Sequence, residues 1–513
     1  MSRARGALAA QSRYDIGQFW PEMLAAAAWL AATVYVVPAR LNQDIAYQLW
    51  MARQLNGGLD FYSQFPEINP PLWFWMARGV DALASLLHLP ASVLMMLAVC
   101  LAIGLSTSLG AALVRAWPAW QRAALLLGLL AALMIVPLQE FEQREHLCLI
   151  GALPYALLIA RRGSGQSVDW RLALAIGLLA APFLALKHYF VLIPLLLEAW
   201  LVWQRRGLWR PLRAETLVLV GVALAYAVAL LLLESDYLTK MVPLLQVAYG
   251  DFRASWEQLA LNRSTIVVYL AVPYLLLVRK RLPAEAQAVL LVVLGFCIAY
   301  VIQGKGWQYQ LVPIMGGLLV ALVLQLVRQP APMAVPRWQF GWAMALLGLV
   351  LAPPLLMGRY DNPYTAATGT LMAGLPKGDT AIILSTQPYI AWPMMEELGL
   401  RWPSRYGMFW MLQGVASREA AGEPLPEGLA RFVDRVRLET VSDLACNPPS
   451  RIIDDTESVV GVPFDMLGWF KQEPRFAELF GAYALSQSYP RFQVYERVGA
   501  IPAGLATDCV TIY

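Results

Sequence analysis

Long apolar runs set the frame for this chain. Residues 214–233 (AETLVLVGVALAYAVALLLL) contain one charge, near one end, and residues 91–114, 286–303, 309–327 and 338–357 are of the same kind. Runs of about 20 residues match a helix crossing the hydrocarbon of a bilayer, whereas a barrel strand needs only about ten alternating residues. Of the 513 residues 59% are hydrophobic and 14% charged, against about 25% charged in a soluble domain. Most of the chain cannot be clothed for water, so a string of soluble domains is excluded. The net charge of +4 is small and its positive residues are scattered, which argues against nucleic acid as a partner and for the bilayer.

The positive residues fix an expected topology. Arg3, Arg5 and Arg13 precede a first run at 19–39 with no cleavage site after it, placing the N-terminus inside. Further runs lie at 91–114, 122–138, 146–160, 171–186, 189–204, 214–233, 264–278, 286–303, 309–327 and 338–357. Between them fall Arg115 with Arg122, Arg161–Arg162, Arg205–Arg206 with Arg210 and Arg213, Arg279–Lys280–Arg281, and Arg328 with Arg337. All these clusters lie inside if residues 70–89 (PPLWFWMARGVDALASLLHL) do not cross. Arg78 and Asp81 in mid-run, and Trp73, Phe74 and Trp75 at its start, favour an interfacial helix on the outer face. The expected architecture is a polytopic α-helical membrane protein of about eleven spans plus external interfacial helices.

The last 155 or so residues are of ordinary polarity, with frequent Pro and Gly and no run long enough to span. The expected division is a membrane domain over 1–358, with a first external loop at 40–90, and a small external α/β domain over 359–513. Residues 380–386 (TAIILST) read as a buried strand, 387–400 as helical, 451–453 as a strand and 492–497 (FQVYER) as an edge strand. Cys446 and Cys509 lie in this tail, and whether they pair stays open; Cys100, Cys148 and Cys297 lie in apolar runs and read as small buried hydrophobes.

The polar segments that carry chemistry collect outside. Asp44 opens DIAYQLWMARQLNGG, an amphipathic surface helix, and reads both as a helix N-cap and as a catalytic carboxylate. Glu67, in the Pro-rich turn FPEINPP, reads either as a solvated loop acid or as a carboxylate that holds a divalent metal or orients a substrate. Glu140, Glu142, Arg144, Glu145 and His146 form a charged knot between two spans, where isolated ions are costly and function is the default reading. His146 and Glu142, four residues apart, make a weak metal pair. Lys187, His188 and Tyr189 interrupt one apolar stretch, and Lys305, Trp307 and Tyr309 another. Two lysines with aromatic neighbours at matching depth suit a lipid phosphate, and snorkelling lysines are the plainer reading. Arg401–Tyr406 (RWPSRY) with Phe409 and Trp410 forms an aromatic-basic patch suited to a sugar, to the bilayer or to domain packing. The chain has no phosphate-binding P-loop, dinucleotide fingerprint, nucleophile elbow or His-Glu-x-x-His motif, which speaks against a cytoplasmic nucleotide-driven machine.

A first span, an external loop running DIAYQLWMARQLNGGLDFYSQFPEINPPLWFW and a charged second loop EFEQREH together resemble the GT-C glycosyltransferases. Within that superfamily they are most similar to the bacterial protein O-mannosyltransferase and lipid A aminoarabinose transferase group. The resemblance covers roughly residues 15–310 and implies a bacterial inner-membrane enzyme with a periplasmic C-terminal domain. It implies transfer, with inversion, of a sugar from a polyprenyl phosphate to a glycan, lipid or polysaccharide acceptor. By resemblance Asp44 is the general base, Glu142 or Glu145 a second acid, and Lys187 and Lys305 the cations against the donor phosphate. Glu67 matches an acidic residue in the pre-helix turn that helps to hold a metal or the lipid phosphate, and His146, from its spacing to Glu142, is the other candidate metal ligand. The sequence departs from the pattern where Ile45 follows Asp44 in place of an acid, and where Tyr47 stands near the place of an Arg. Arg53 or Arg144 is then expected to add charge at the phosphate, with His188, Tyr189, Trp307 and Tyr309 around it. A lipid or polysaccharide transporter and an O-antigen ligase-like enzyme are the rival readings. Charges gathered at the outer edge rather than at midplane weigh against the first, and the short, weakly basic 234–263 segment against the second.

Overall fold

A computed structural model describes residues 18–248, 253–328, 335–459 and 461–512. Arg3, Arg5 and Arg13 lie outside the described residues, as do residues 249–252 of the 234–263 segment. Each of the eleven apolar runs holds a helix, as does 70–89 (Leu72–Leu87). Among the described residues five helices are long and apolar enough to cross a membrane by length and composition: Ala91–Leu113, Ala214–Leu233, Ala284–Gln303, Gln308–Val327 and Arg337–Met357. Ala119–Ile135 and Trp170–Leu184 are apolar but shorter. The helix Arg144–Gly163 is the axis of the bundle, with every side chain from Arg144 to Ala160 buried. Ala214–Leu233 is its opposite: only Glu215 is buried, so an almost wholly apolar helix faces outward, as a lipid-facing one does.

Leu72–Leu87 buries Trp73, Phe74, Ala77, Asp81 and Ala84, a stripe at helical spacing. Its mid-run polar residues have partners on the first-loop helix, Gln43–Asn56. Asn56 Nδ2 donates to Asp81 Oδ2 at 2.9 Å, Arg78 Nε donates to Asn56 Oδ1 at 3.0 Å, and Arg53 Nε meets Asp81 Oδ1 at 3.4 Å. The two helices are thus clamped as a pair.

The C-terminal region folds around a four-stranded sheet of order β1-β2-β4-β3: β1 is Ala381–Leu384, β2 Arg451–Asp455, β3 Tyr483–Ser488 and β4 Phe492–Arg497. β1 and β2 pair in parallel and the rest antiparallel. FQVYER is therefore not an edge strand: β4 lies between β2 and β3, and β3 takes the edge with five of its six residues exposed. Cys446, at the end of the helix Glu427–Cys446, is joined to Cys509 by a disulfide.

This region docks on the first-loop helix. Trp392 packs against Tyr47 and Trp50, ring centroids 6.1 and 5.2 Å apart, and Arg53 Nη1 meets Glu396 Oε1 at 2.8 Å. Arg40 pairs with both Asp361 and Glu397, and Arg435 Nη2 reaches the Ser63 carbonyl at 2.7 Å. The RWPSRY patch is part of the packing: Trp402, Arg405 and Tyr406 are buried, and Arg405 forks onto Asp443.

Candidate functional site

Between the helical bundle and the C-terminal region lies a cleft of about 830 Å³, toward the upper end of small-molecule sites, about 300–1,000 Å³. Six stretches of chain meet there, one of them the 234–263 segment with Tyr237 and Arg253. The first loop brings Asp44 and Glu67, the second Glu140 and Arg144, and the break after Trp170–Leu184 brings Lys187, His188 and Tyr189. The turn after Ala284–Gln303 brings Lys305, Trp307 and Tyr309, and the C-terminal region closes the far wall.

Asp44 reaches the cleft because it is not the cap of its helix. Asn42 takes that place, its side-chain oxygen accepting the Asp44 backbone N–H at 3.0 Å. The Asp44 carboxylate is left to accept one hydrogen bond, from Gln143 Nε2 at 3.1 Å, and the same amide nitrogen lies 3.2 Å from Asn42 Oδ1. Asn42 Nδ2 in turn donates to Glu140 Oε2 at 3.1 Å. Two carboxyls are thereby held side by side through one pair of amides. Burial pushes the Asp44 carboxyl up, opposed by the Gln143 hydrogen bond and by the charges of Arg144 and Lys187. Burial, with the charge of Asp44 and then that of Glu145, pushes Glu140 up to about 8. At neutral pH Glu140 holds its proton.

Of the second-loop acids it is Glu140, which the sequence showed only as one member of the knot, that lines the cleft; Glu142 and Glu145 do not. Glu142 sits at φ +71° and its backbone N–H donates to His146 Nδ1 at 3.2 Å. Its side chain is turned into the bundle, 1% exposed, where burial raises its carboxyl well above the usual range. Glu145 is 2% exposed and is the ion-pair partner of Lys187, Oε1 to Nζ 2.6 Å. It bears on the cleft through that lysine.

Lys187 lines the cleft with its ammonium 5.1 Å from the centre of the Tyr309 ring. Burial lowers its pKa, and Glu145 works against that. The His188 and Tyr189 rings lie 3.7 Å apart, those of Trp307 and Tyr309 5.6 Å apart, all on the wall. Arg253, on the 234–263 segment, adds a cation that the sequence did not single out. Arg53 does not line the cleft; its bonds to Asp81 and Glu396 hold it on another face of its helix.

The predicted metal ligands do not assemble. His146 is fully buried with both ring nitrogens engaged, Nδ1 by the Glu142 N–H and Nε2 with the Leu133 carbonyl at 2.8 Å. That carbonyl has no helical donor, because the residue four further on, Pro137, has no N–H. Glu67 is no solvated loop acid either: it is 2% exposed. Its Oε1 accepts from the Asn69 N–H at 2.9 Å and Nδ2 at 2.6 Å, its Oε2 from Tyr47 at 3.3 Å, and Arg144 bonds the Asn69 carbonyl oxygen of the side chain. Glu67 closes the turn that positions Arg144. Among the described residues no group of three or more His, Cys, Asp or Glu is arranged to hold a metal.

No protein-family model matches the chain, and no curated protein matches it. The structure is similar to ArnT from Cupriavidus metallidurans bound to undecaprenyl phosphate, with TM-score 0.53 and 11% identity over 96% of this chain and 100% of that one. Against apo ArnT the TM-score is 0.52, with 14% identity over 95% and 98%. Archaeal oligosaccharyltransferase AglB from Archaeoglobus fulgidus is more distant, at TM-score 0.44 with 11% identity over 96% of this chain and 76% of that one. These neighbours are glycosyltransferases of the GT-C superfamily. The likeness to the two ArnT structures is one of fold and runs along nearly the whole chain, beyond the two external loops.

Proposed function

We propose that the protein transfers a sugar from a polyprenyl-phosphate donor to a hydroxyl of a glycan or lipid acceptor at the outer face of a bacterial inner membrane. The observation that carries this reading is the meeting, in one cleft, of the Asp44 carboxylate with Arg144, Lys187, Arg253 and Lys305 from separate loops. A nearby glycosyltransferase fold with bound undecaprenyl phosphate supports the class of donor.

The chemistry follows from the charges. The acceptor oxygen attacks the anomeric carbon while the bond from that carbon to the phosphate oxygen breaks, through an oxocarbenium-like transition state. Asp44 takes the acceptor proton, which is worth roughly 10²–10⁴-fold in rate. The polyprenyl phosphate departs as an anion, and the cations at the membrane-side loops stabilise the charge that develops on it. Attack opposite the leaving group inverts the anomeric centre. Glu145 holds the Lys187 ammonium in place at 2.6 Å. No step is routed through a metal.

The test is reconstitution of the full chain with a panel of polyprenyl-phosphate sugars, with and without acceptors, following release of polyprenyl phosphate. The expected result is release by wild type and a drop of at least about 10²-fold in Asp44→Asn with donor still bound. Equal turnover in Asp44→Asn removes the base. Movement of intact donor across the vesicle without cleavage replaces the enzyme by a transporter.

A further inference from the structure

The cleft is chemically divided. Its cations, Arg144, Lys187, Arg253 and Lys305, all come from the bundle side, whereas none of the described lining residues that the C-terminal region contributes is charged. That wall is built instead from Thr386, Gln387, Tyr389, Trp410 and Gln413. Glutamine carboxamides are unusually frequent around the whole cleft, where seven of the lining residues are Gln. A carboxamide offers two donors and an acceptor without charge, which is what a sugar hydroxyl, itself donor and acceptor, requires. Aromatic rings add flat apolar faces with a polar edge, suited to the C–H faces of a pyranose. An anionic headgroup needs cations in fork or cluster, and this wall supplies none.

Two further observations place the wall beside the base. Gln387 Nε2 donates to Thr386 Oγ1 at 3.0 Å, which orients its carboxamide at the end of β1, and Tyr389 is held by stacking on Tyr364 with centroids 5.2 Å apart. The segment that follows packs Trp392 onto Tyr47, one turn along the helix from Asp44. The wall therefore rides on the element that carries the base.

From this division we infer that the C-terminal region forms the acceptor subsite and that its ligand is an uncharged glycan, seated on Gln387, Gln413, Tyr389 and Trp410 with one hydroxyl directed at Asp44. The inference deepens the proposed transfer reaction and rests on it for the name acceptor, while the binding it asserts is measured without any donor.

The experiment is saturation-transfer NMR and calorimetry on the purified full chain. The probes are neutral oligosaccharides of glucose, galactose and mannose, an anionic lipid headgroup analogue and a neutral peptide. Saturable binding of at least one neutral oligosaccharide is expected, weakened about tenfold or more in Gln387→Ala/Gln413→Ala by the loss of two hydrogen bonds. Gln413→Glu keeps a hydrogen-bonding oxygen but adds a negative charge. It is expected to retain the neutral glycan and to reject an anionic ligand, which separates loss of a contact from loss of the fold. Binding of the anionic analogue or the peptide in place of every oligosaccharide overturns the proposal. So does oligosaccharide binding that both variants leave unchanged. Failure of donor cleavage in the reconstituted assay, with oligosaccharide binding intact, overturns the transferase reading and leaves a glycan-binding wall.

Discussion

Asp44 and Glu140 make the sharpest predictions at the scale of single residues. As the proposed general base Asp44 acts only when deprotonated, and burial holds its pKa above the ordinary value. As pH falls, activity is therefore lost earlier than for an exposed aspartate near about 3.9. Gln143 donates to the charged form, so Gln143→Leu raises the Asp44 pKa further and moves the acid limb of the rate profile upward; a pH series of donor cleavage reads the shift. Glu140 titrates at about 8 and is neutral below it. Glu140→Gln reproduces that neutral state and is expected to keep activity at neutral pH. Above about 8 the wild-type Glu140 ionises beside Asp44 and the donor phosphate. Wild type therefore loses rate along an alkaline limb that the Gln variant lacks. Identical alkaline profiles would take Glu140 out of the site.

The residues of the cleft were legible where a span end fixed their depth. Asp44, Lys187 and Lys305 each sit just beyond an apolar run, and all three line the cleft. Glu142 was not legible, because its orientation depends on a left-handed backbone turn and a bond to His146, neither of which leaves a periodic trace.

At the scale of elements, the first-loop helix is the keystone on which the C-terminal region sits. At Gly407 the two are in close contact: a Cβ built there would lie 2.3 Å from Tyr47 Cε2 and 2.8 Å from Trp50 Cζ3. Those rings are locked by Trp392 and Phe65, so they have little room to give. Gly407→Ala should cost about 1–3 kcal/mol, the range of overpacked sites, and should lower the unfolding temperature together with turnover. Gly461→Ala does not make a comparable test, since φ +75° strains any side chain there; Gly341→Ala, with open space around its Cβ, is the control. Strand content was partly legible for an elementary reason. β1 is wholly buried and reads as an apolar run; β2 (RIIDD) is wholly buried too, but only Ile452 and Ile453 showed it. β3 is almost wholly exposed, so its polar sequence YALSQS carries no burial pattern, and β4 was misplaced at the edge because its partner went unseen.

For the whole molecule, the positive clusters and the disulfide make one joint claim about sidedness. If every Arg cluster faces the cytoplasm, the C-terminal region with Cys446–Cys509 lies in the oxidising compartment, where such a bond persists. The remaining cysteines are buried or partly buried in the helical bundle, so an added thiol reports on its own loop. The turn at Lys377 precedes β1, and Lys280 sits in the Arg279–Arg281 turn between two apolar helices. A membrane-impermeant maleimide applied to intact cells is expected to label Lys377→Cys and to reach Lys280→Cys only after permeabilisation. The same cells, lysed under alkylating conditions, should show no free thiol at Cys446 or Cys509. The reverse labelling pattern would put the cleft on the cytoplasmic face and the N-terminus outside, with the number of crossings unchanged. An added crossing at residues 70–89 cannot produce it, because Gln143 donates to Asp44 across that segment and the two loops must share one face.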